Sequence, residues 1–154
     1  NQQQPAQTKP VKNTGVGDVI SLSEASKVKI LSAELKSVSE IKENSNIRFC
    51  INQDNQVKNF ILLTFVFTKN KDEDASPSFG WIRITTPNQN LYRYTSTCSL
   101  VKGNTGRSIN DESLLKSYVV FPLPSSVDAV SIESARINVT LEYREIPLKI
   151  MTLH

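Results

Sequence analysis

The chain has 154 residues, enough for one domain that buries roughly 70% of the surface of its extended chain, so a hydrophobic core can form without disulfides or metals. Asn, Gln, Ser and Thr make up about a third of the sequence, which favours turns and half-exposed strands over long helices. With 18 basic and 15 acidic side chains the net charge is only +3. No strongly basic face of the kind that neutralises many phosphates is visible in the sequence, so nucleic acid is not expected as a partner.

The N-terminal part of the chain is polar and begins without Met. Residues 1–17 contain almost no apolar side chains, which predicts a flexible tether because ordering them would not be offset by burial. A start without Met is compatible with a removed leader, lipid-anchor segment or longer parent chain, so membrane tethering through such a segment and a plain disordered terminus are both open. Residues 18–154 are predicted to form a single domain. The chain itself contains no stretch of the roughly 20 apolar residues that a membrane-spanning helix needs.

The segment from Ser23 to Ile41 supports two interpretations. Four apolar residues follow a helical 3-4-3 spacing behind a candidate N-cap at Ser23, which indicates an amphipathic helix. The serines and the alternation from Lys27 to Leu35 fit a first strand equally well. Residues 23–41 are therefore a short N-terminal helix or the first strand.

From Asn46 onward the pattern is that of β-structure. Short apolar or alternating runs end at Asn, Asp, Pro, Gly or Ser, beginning with NIRFCI at 46–51. The run FILLTFVF at 60–67 is apolar on both faces, which is typical of a central strand that is covered on both sides. ARINVTLEY at 135–143 alternates apolar and polar residues and is predicted as one strand. Several short strands with turn signals about every ten residues predict a mainly β protein, an antiparallel β-sandwich.

The rhythm of strands and turns resembles that of immunoglobulin-like and transthyretin-like modules. The resemblance implies a sandwich of two sheets, but no family motif carries it. The Cys and Trp spacing of immunoglobulin domains is absent, because Trp81 lies 31 residues after Cys50 and residue 96 is Ser where that pattern has Tyr.

The two cysteines bear on the compartment of the protein. If Cys50 and Cys98 lie on equivalent faces of paired or facing strands, they can form a disulfide. Closing a loop of about 50 residues, this bond would stabilise the fold by roughly 4 kcal/mol in the chain-entropy model. A disulfide would indicate an extracytoplasmic protein, periplasmic, surface-exposed or secreted; two free, partly buried thiols are the alternative.

The sequence offers no catalytic, metal or cofactor site. The only histidine is His154 at the chain end, which leaves no His-based catalytic group and no zinc spacing. The acidic triplet Asp72, Glu73 and Asp74 lacks the Gly and the spaced oxygen ligands of a calcium loop. KGNTGRS at 102–108 has no Lys after its second Gly and does not follow a strand directly, so it does not match a phosphate loop. We therefore expect a protein that is not an enzyme and has no cofactor. The N-glycosylation sequon that begins at Asn138 lies inside a predicted strand.

One predicted hairpin stands out, in GWIRITTPNQNLYRYTSTC at 80–98. With PNQN as the loop, Thr86 faces Leu91 and Arg83 faces Tyr94. The aliphatic face, with Ile82 and Ile84, is then expected in the core. The opposite face contains the candidate binding residues, which are Trp81, Arg83, Tyr92 and Tyr94. A cation-π contact between Arg83 and Tyr94 is expected.

Two interpretations of this aromatic face remain open. It is either a ladder covered by the protein's own chain or a contact surface, since Trp, Tyr and Arg dominate protein interfaces and also stack on sugars. The second interpretation predicts a non-catalytic interaction module, exported or associated with the cell envelope. Such a module would serve as an accessory or assembly component through contacts with a protein partner. The alternative function is a carbohydrate-binding or adhesin-like domain that uses the same face on a glycan.

Overall fold

The computed structural model describes residues 16–24, 26–51, 59–71, 77–85, 91–95, 98–123, 130–139 and 142–153. In residues 85, 91–95, 130–139 and 142–153 the description covers the backbone alone. The described chain is mainly β with antiparallel sheets and little helix, as predicted. The predicted immunoglobulin-like or transthyretin-like sandwich stays a prediction.

The described strands form two sheets. The strands are β1 (Val19–Ser21), β2 (Ser26–Ser37), β3 (Asn59–Lys69), β4 (Pro77–Thr85), β5 (Leu91–Thr95), β6 (Cys98–Leu100), β7 (Gly103–Thr105), β8 (Lys116–Leu123), β9 (Val130–Val139) and β10 (Glu142–Leu153). The first sheet has the order β1-β2-β3-β8-β6, and β7 also pairs with β3. The second has the order β10-β9-β4-β5. All these pairs are antiparallel except β3 with β7, which is parallel.

Strand β3 is the centre of the first sheet. It pairs along its whole length with β2, while on its other side β8 pairs with residues 59–66 and β7 with residues 67–69. Every residue from Phe60 to Thr68 is buried. This confirms the prediction that a run apolar on both faces is a strand covered on both sides.

The main core lies between the two sheets. It joins β2, β3 and β8 of the first sheet to Phe79, Ile82 and Ile84 of β4. The rings of Phe65 and Phe79 meet edge to face with their centroids 5.0 Å apart, an arrangement that aromatic pairs favour. The contact joins the central strand of one sheet to an inner strand of the other.

The ambiguous N-terminal segment is a strand followed by a short helix. Ser26–Ser37 is β2, which alternates between buried and exposed residues near its start, and helix α1 (Val38–Glu43) follows. The N-cap is Ser37 rather than Ser23: its hydroxyl accepts from the Glu40 amide, and the Glu40 carboxylate accepts from the Ser37 amide. This capping box explains why the chain leaves the sheet at residue 38.

The predicted strand NIRFCI is not a strand. Arg48–Cys50 form a 3-10 helix, in which Phe49 is 59% exposed while the preceding Ile47 is fully buried. We call residues 38–51 the cap segment, because Ile41 and Ile47 pack on Phe60 and other residues on the outer face of the first sheet. A short apolar run does not distinguish a strand from a turn that buries one of its residues. Here the packing of Ile47 on the first sheet favours the turn.

Residues 101–115 cover the neighbouring part of the same outer face. Ile109 and Leu114 are buried there against Val66 of β3. We call this segment, which includes KGNTGRS at 102–108, the covering loop, and it contains β7. Gly106 has φ +70°, a left-handed conformation that a glycine adopts without strain and that lets the chain turn away from β7.

Two boundaries differ from the sequence prediction. The segment at 135–143 is divided between β9 and β10, which pair antiparallel with Glu142 opposite Val139. The last two residues of the predicted tether at 1–17, residues 16 and 17, belong to the described chain. There Val16 forms a parallel bridge with Ile30, and the Gly17 amide donates to the Ile30 carbonyl across 2.7 Å.

Candidate functional site

A β-bulge in β4 determines which residues lie on its outer side. The pairing of β4 with β9 shifts between Phe79 and Trp81, so that Phe79 and Ile82, three residues apart, both reach the core. Ile82 and Ile84 have no exposed surface, as the sequence predicted for the aliphatic face. Trp81 and Arg83 alternate with them and are partly exposed. We call Trp81 and Arg83 the outer pair.

The outer pair forms a cation-π contact. The Cζ atom of Arg83 lies 5.5 Å from the centroid of the Trp81 ring. Such contacts contribute about 0.5–1 kcal/mol at exposed sites. The sequence predicted that Arg83 contacts Tyr94 on the opposite strand. In the structure its cation-π partner is Trp81, which lies two residues before it on the same strand. The planar guanidinium and the indole therefore form one continuous surface.

The register of the hairpin is displaced by one residue from the prediction. Thr85 pairs with Leu91, Arg83 with Arg93 and Ile82 with Tyr94. Five residues, 86–90, connect the strands instead of the four of PNQN, and these five lie outside the described residues. A shift of one residue exchanges the faces of a strand, so the predicted pairing of Arg83 with Tyr94 is wrong.

This register separates the four predicted binding residues into two pairs. Residues opposite each other in an antiparallel ladder lie on the same face. Tyr92 and Tyr94 are opposite Ile84 and Ile82, at register positions of the inner face. Trp81 is opposite Thr95 on the outer face. The side chains of both tyrosines lie outside the described part of the structure, and their role in binding stays a prediction.

Two arginines outside the predicted set of binding residues share the outer face by register. Arg93 of β5 is opposite Arg83, and Arg136 of β9 is opposite Trp81 on the other side of β4. The predicted four-residue loop would place Arg93 opposite Ile84 on the inner face, whereas the observed five-residue connection places it opposite Arg83 on the outer face. Arg136 has no local signal in the sequence, since it lies 55 residues after Trp81 and only the pairing of β4 with β9 places the two opposite each other.

The predicted cysteine pair is at disulfide distance. The sulfur atoms of Cys50 and Cys98 are 2.06 Å apart and their Cα atoms 5.5 Å apart. The prediction placed both residues on strands, but Cys50 is in the 3-10 helix of the cap segment and Cys98 begins β6. The predicted strand at 91–98 is divided between the two sheets, with β5 in one and β6 in the other. The pair thus attaches the cap segment to an edge strand of the sheet beneath it.

The covering loop holds a strongly perturbed carboxylate. The pKa of Asp111 is lowered from 3.8 to about 2 by hydrogen bonds from the Ser113 amide and hydroxyl and by the Arg107 guanidinium. Arg107 Nη2 lies 2.6 Å from Asp111 Oδ2, and the Ser113 amide donates to Oδ1 across 2.9 Å. These contacts close a turn within one loop and leave the carboxylate at the surface, which is the arrangement of a local structural motif.

Two features of the sequence that were weighed as metal or catalytic sites lie outside the described residues. They are the acidic triplet Asp72, Glu73 and Asp74, and the histidine His154. Within the described ranges no three His, Cys, Asp or Glu side chains are grouped so that they could hold a metal ion. In the same ranges, no helix has the length and apolar character needed to cross a bilayer.

Comparison of the sequence with protein-family models, with curated proteins and with solved structures found no match.

Proposed function

We propose that this chain is a non-catalytic β-sandwich module that acts through protein-protein contacts, as an accessory or assembly component of an exported or envelope-associated system. The observation that carries the proposal is the outer pair. Trp81 and Arg83 stack on each other on the side of β4 that faces away from the buried Ile82 and Ile84. Trp and Arg are the residue types most enriched among those that dominate binding energy at interfaces.

The rigidity of β4 also supports this proposal. The strand pairs on both sides, with β5 and β9, and its inner residues are fixed in the core. A surface on such a strand needs little ordering when it meets a partner, which lowers the entropic cost of binding.

The extracytoplasmic location is part of the same proposal. It is supported by Cys50 and Cys98, which lie at disulfide distance in the fold. Disulfides form and persist mainly in oxidising compartments. A thiol count on protein taken from its native compartment tests this point, and two reactive thiols after denaturation would contradict it.

A pull-down with matched variants tests the interaction. Trp81→Ala removes the aromatic platform, while Phe49→Ala removes an aromatic residue that is 59% exposed on the cap segment, which covers the other sheet. Loss of partner capture in Trp81→Ala but not in Phe49→Ala supports the outer pair. If Trp81→Ala lowers the melting temperature and leaves partner capture unchanged, the outer pair serves only to cover the sheet.

A carbohydrate-binding or adhesin-like domain is the second candidate function. A partly exposed indole on a strand is also a platform on which a sugar ring can stack. The same two variants applied to a glycan array distinguish the candidates. Glycan binding that depends on Trp81, without capture of a protein partner, favours the second.

A further inference from the structure

Strand β2 has one edge that is paired over only part of its length. On one side β2 pairs with β3 from Ser26 to Ser37. On the other side β1 pairs with residues 27–29 alone, and Val16 bridges Ile30. Among the described residues, none pairs with β2 on that side over residues 31–37, which we call the open edge. A strand edge of this kind is a template on which a further strand can pair.

The core between the two sheets is less completely covered beside the open edge. Val28 and Ile30 of β2 belong to this core and have no exposed surface where β1 and Val16 lie alongside. Ala33 and Leu35 pack against the same core but are only partly buried. A strand added beside residues 33 and 35 would therefore bury apolar surface in addition to pairing with the main chain.

The outer face of the open edge alternates in charge. Glu34 and Lys36 are successive residues of this face, opposite Leu62 and Phe60 of β3. Lys36 Nζ lies 3.2 Å from the Glu34 carboxylate and 3.7 Å from that of Glu40. A lysine at a strand edge ordinarily discourages pairing with another chain. Here an acid and a base in succession make the edge complementary to an identical strand that runs in the opposite direction.

Symmetry allows few registers for two such edges. A second copy related by a twofold axis perpendicular to the sheet is antiparallel, and one residue then lies opposite its own counterpart. An axis at Glu34 or at Lys36 places like charges opposite each other, which is unfavourable. An axis at Ala33 places Leu31, which packs on the outer face, opposite the inward Leu35. An axis at Leu35 places each Glu34 opposite Lys36 of the other copy and matches both faces.

We infer that the open edge joins two copies of this chain into a symmetric dimer with its axis at Leu35. The first sheet continues from one copy into the other, and the two Leu35 side chains cover each other and extend the core across the axis. Glu34 and Lys36 of the two copies form two pairs of opposite charge on the outer face. This surface lies on β2, whereas the proposed interface lies on β4, so the inference is independent of the proposed function.

Sedimentation of the full chain over a range of protein concentrations measures this association. Wild-type protein is expected to shift from monomer to dimer as the concentration rises. Glu34→Lys places lysine opposite lysine on both sides of the axis, and Lys36→Glu places glutamate opposite glutamate. Each variant is expected to weaken dimerisation roughly tenfold or more, because two attractive cross-strand pairs become repulsive.

An equimolar mixture of the two variants tests the register itself. In a mixed dimer, the two lysines of one chain face the two glutamates of the other. The mixture is therefore expected to dimerise about as tightly as wild-type protein, although each variant alone is weakened. This recovery also shows that neither variant was monomeric because it failed to fold. If both variants give wild-type circular dichroism and their mixture stays monomeric, the inference is wrong.

Matched variants separate the open edge from effects of net charge. Glu112→Lys and Lys102→Glu make the same changes of charge at exposed positions of the covering loop and should leave dimerisation unchanged. Trp81→Ala, on the other sheet, should also leave it unchanged. If the covering-loop variants weaken the dimer as much as Glu34→Lys and Lys36→Glu do, net charge explains the effect and the inference is wrong.

Two further outcomes would overturn the inference. A wild-type chain that stays monomeric throughout the concentration range would leave the open edge to another occupant, either the residues before Val16 or a strand of a different protein. A dimer that withstands both Glu34→Lys and Lys36→Glu, or that Trp81→Ala dissociates, would place the contact between copies on a different surface.

Discussion

The side-chain amide of Asn104 donates a hydrogen bond to the main-chain oxygen of Phe67 across 2.9 Å. The same amide donates to the Leu115 oxygen at 3.1 Å, and its own oxygen accepts from the Leu115 amide at 2.8 Å. Asn104 is only 3% exposed. One side chain near the start of the covering loop, residues 101–115, therefore bonds both to the central strand and to the last residue of the loop.

Replacing Asn104 should destabilise the protein markedly. Asn104→Ala leaves the Leu115 amide and two main-chain oxygens without their partner, and each buried polar group left unsatisfied costs about 1–3 kcal/mol. We expect the free energy of unfolding to fall by about 2–4 kcal/mol, measured by urea denaturation. Asn110→Ala, at an exposed position of the same loop, should change it by less than about 0.5 kcal/mol. Equal effects of the two variants would contradict the structural role of Asn104.

The sequence was informative wherever a pattern extended over a whole strand. The run at 60–67 indicated a strand buried on both sides, and Ile82 with Ile84 indicated an inward face, because burial imposes apolar residues at every such position. The pattern was ambiguous at 23–41, where a strand and a capped helix follow each other directly. It was misleading at 46–51, where one buried isoleucine in a turn resembles part of an alternating strand.

The two sides of β4 should differ in their contribution to stability. Ile82→Ala creates a cavity in the core and should lower the free energy of unfolding by about 2–5 kcal/mol. Trp81→Ala removes a partly exposed ring and should lower it by less than Ile82→Ala does. Thermal or urea unfolding of the two variants checks this order, and a larger loss in Trp81→Ala would mean that the indole is a core residue.

The candidate site was predictable only in part for a related reason. Trp81 and Arg83 are selected by the alternation of a single strand, which the sequence displays. The partners across the ladder depend on loop length and on pairing between distant segments. One additional residue in the connection at 86–90 was enough to exchange Tyr94 for Arg93 opposite Arg83. Arg136 reaches Trp81 through tertiary pairing alone.

Loss of the Cys50–Cys98 pair should loosen the cap segment before the rest of the fold. Helix α1 has six residues, too few to be stable alone, so the cap segment depends on packing and on its attachment to β6. Hydrogen exchange of residues 38–51 should accelerate in reduced protein and in a Cys50→Ser/Cys98→Ser variant. The global free energy of unfolding should fall by up to about 4 kcal/mol, the chain-entropy value for a loop of this length.

The covering loop provides an internal control for that experiment. Residues 101–115 lie on the same sheet face, but the described contacts that hold them are hydrogen bonds and packing rather than a cysteine. Their exchange should change far less than that of residues 38–51 on reduction. A uniform increase over both segments would mean that the pair stabilises the whole fold and not the cap segment in particular.

The carboxylate of Asp111 should titrate well below an ordinary aspartate. Its pKa in the folded protein is lowered to about 2 from 3.8, chiefly because the Ser113 amide and hydroxyl donate to the ionised form and Arg107 pairs with it. A lowered pKa means that the carboxylate's stabilising contribution is complete above about pH 4 and is lost as the pH falls through about 2. The contribution itself is small, because the group is at the surface.

An NMR titration of the Asp111 carboxyl carbon measures this pKa directly. Ser113→Ala and Arg107→Gln should each raise the midpoint part of the way toward 3.8, and neither should restore it fully, because the Ser113 amide still donates to Oδ1. Arg48→Gln, which removes an exposed charge from the cap segment, should leave the midpoint where it is. A wild-type midpoint near 3.8 would show that the turn formed by Arg107, Asp111 and Ser113 does not persist in solution.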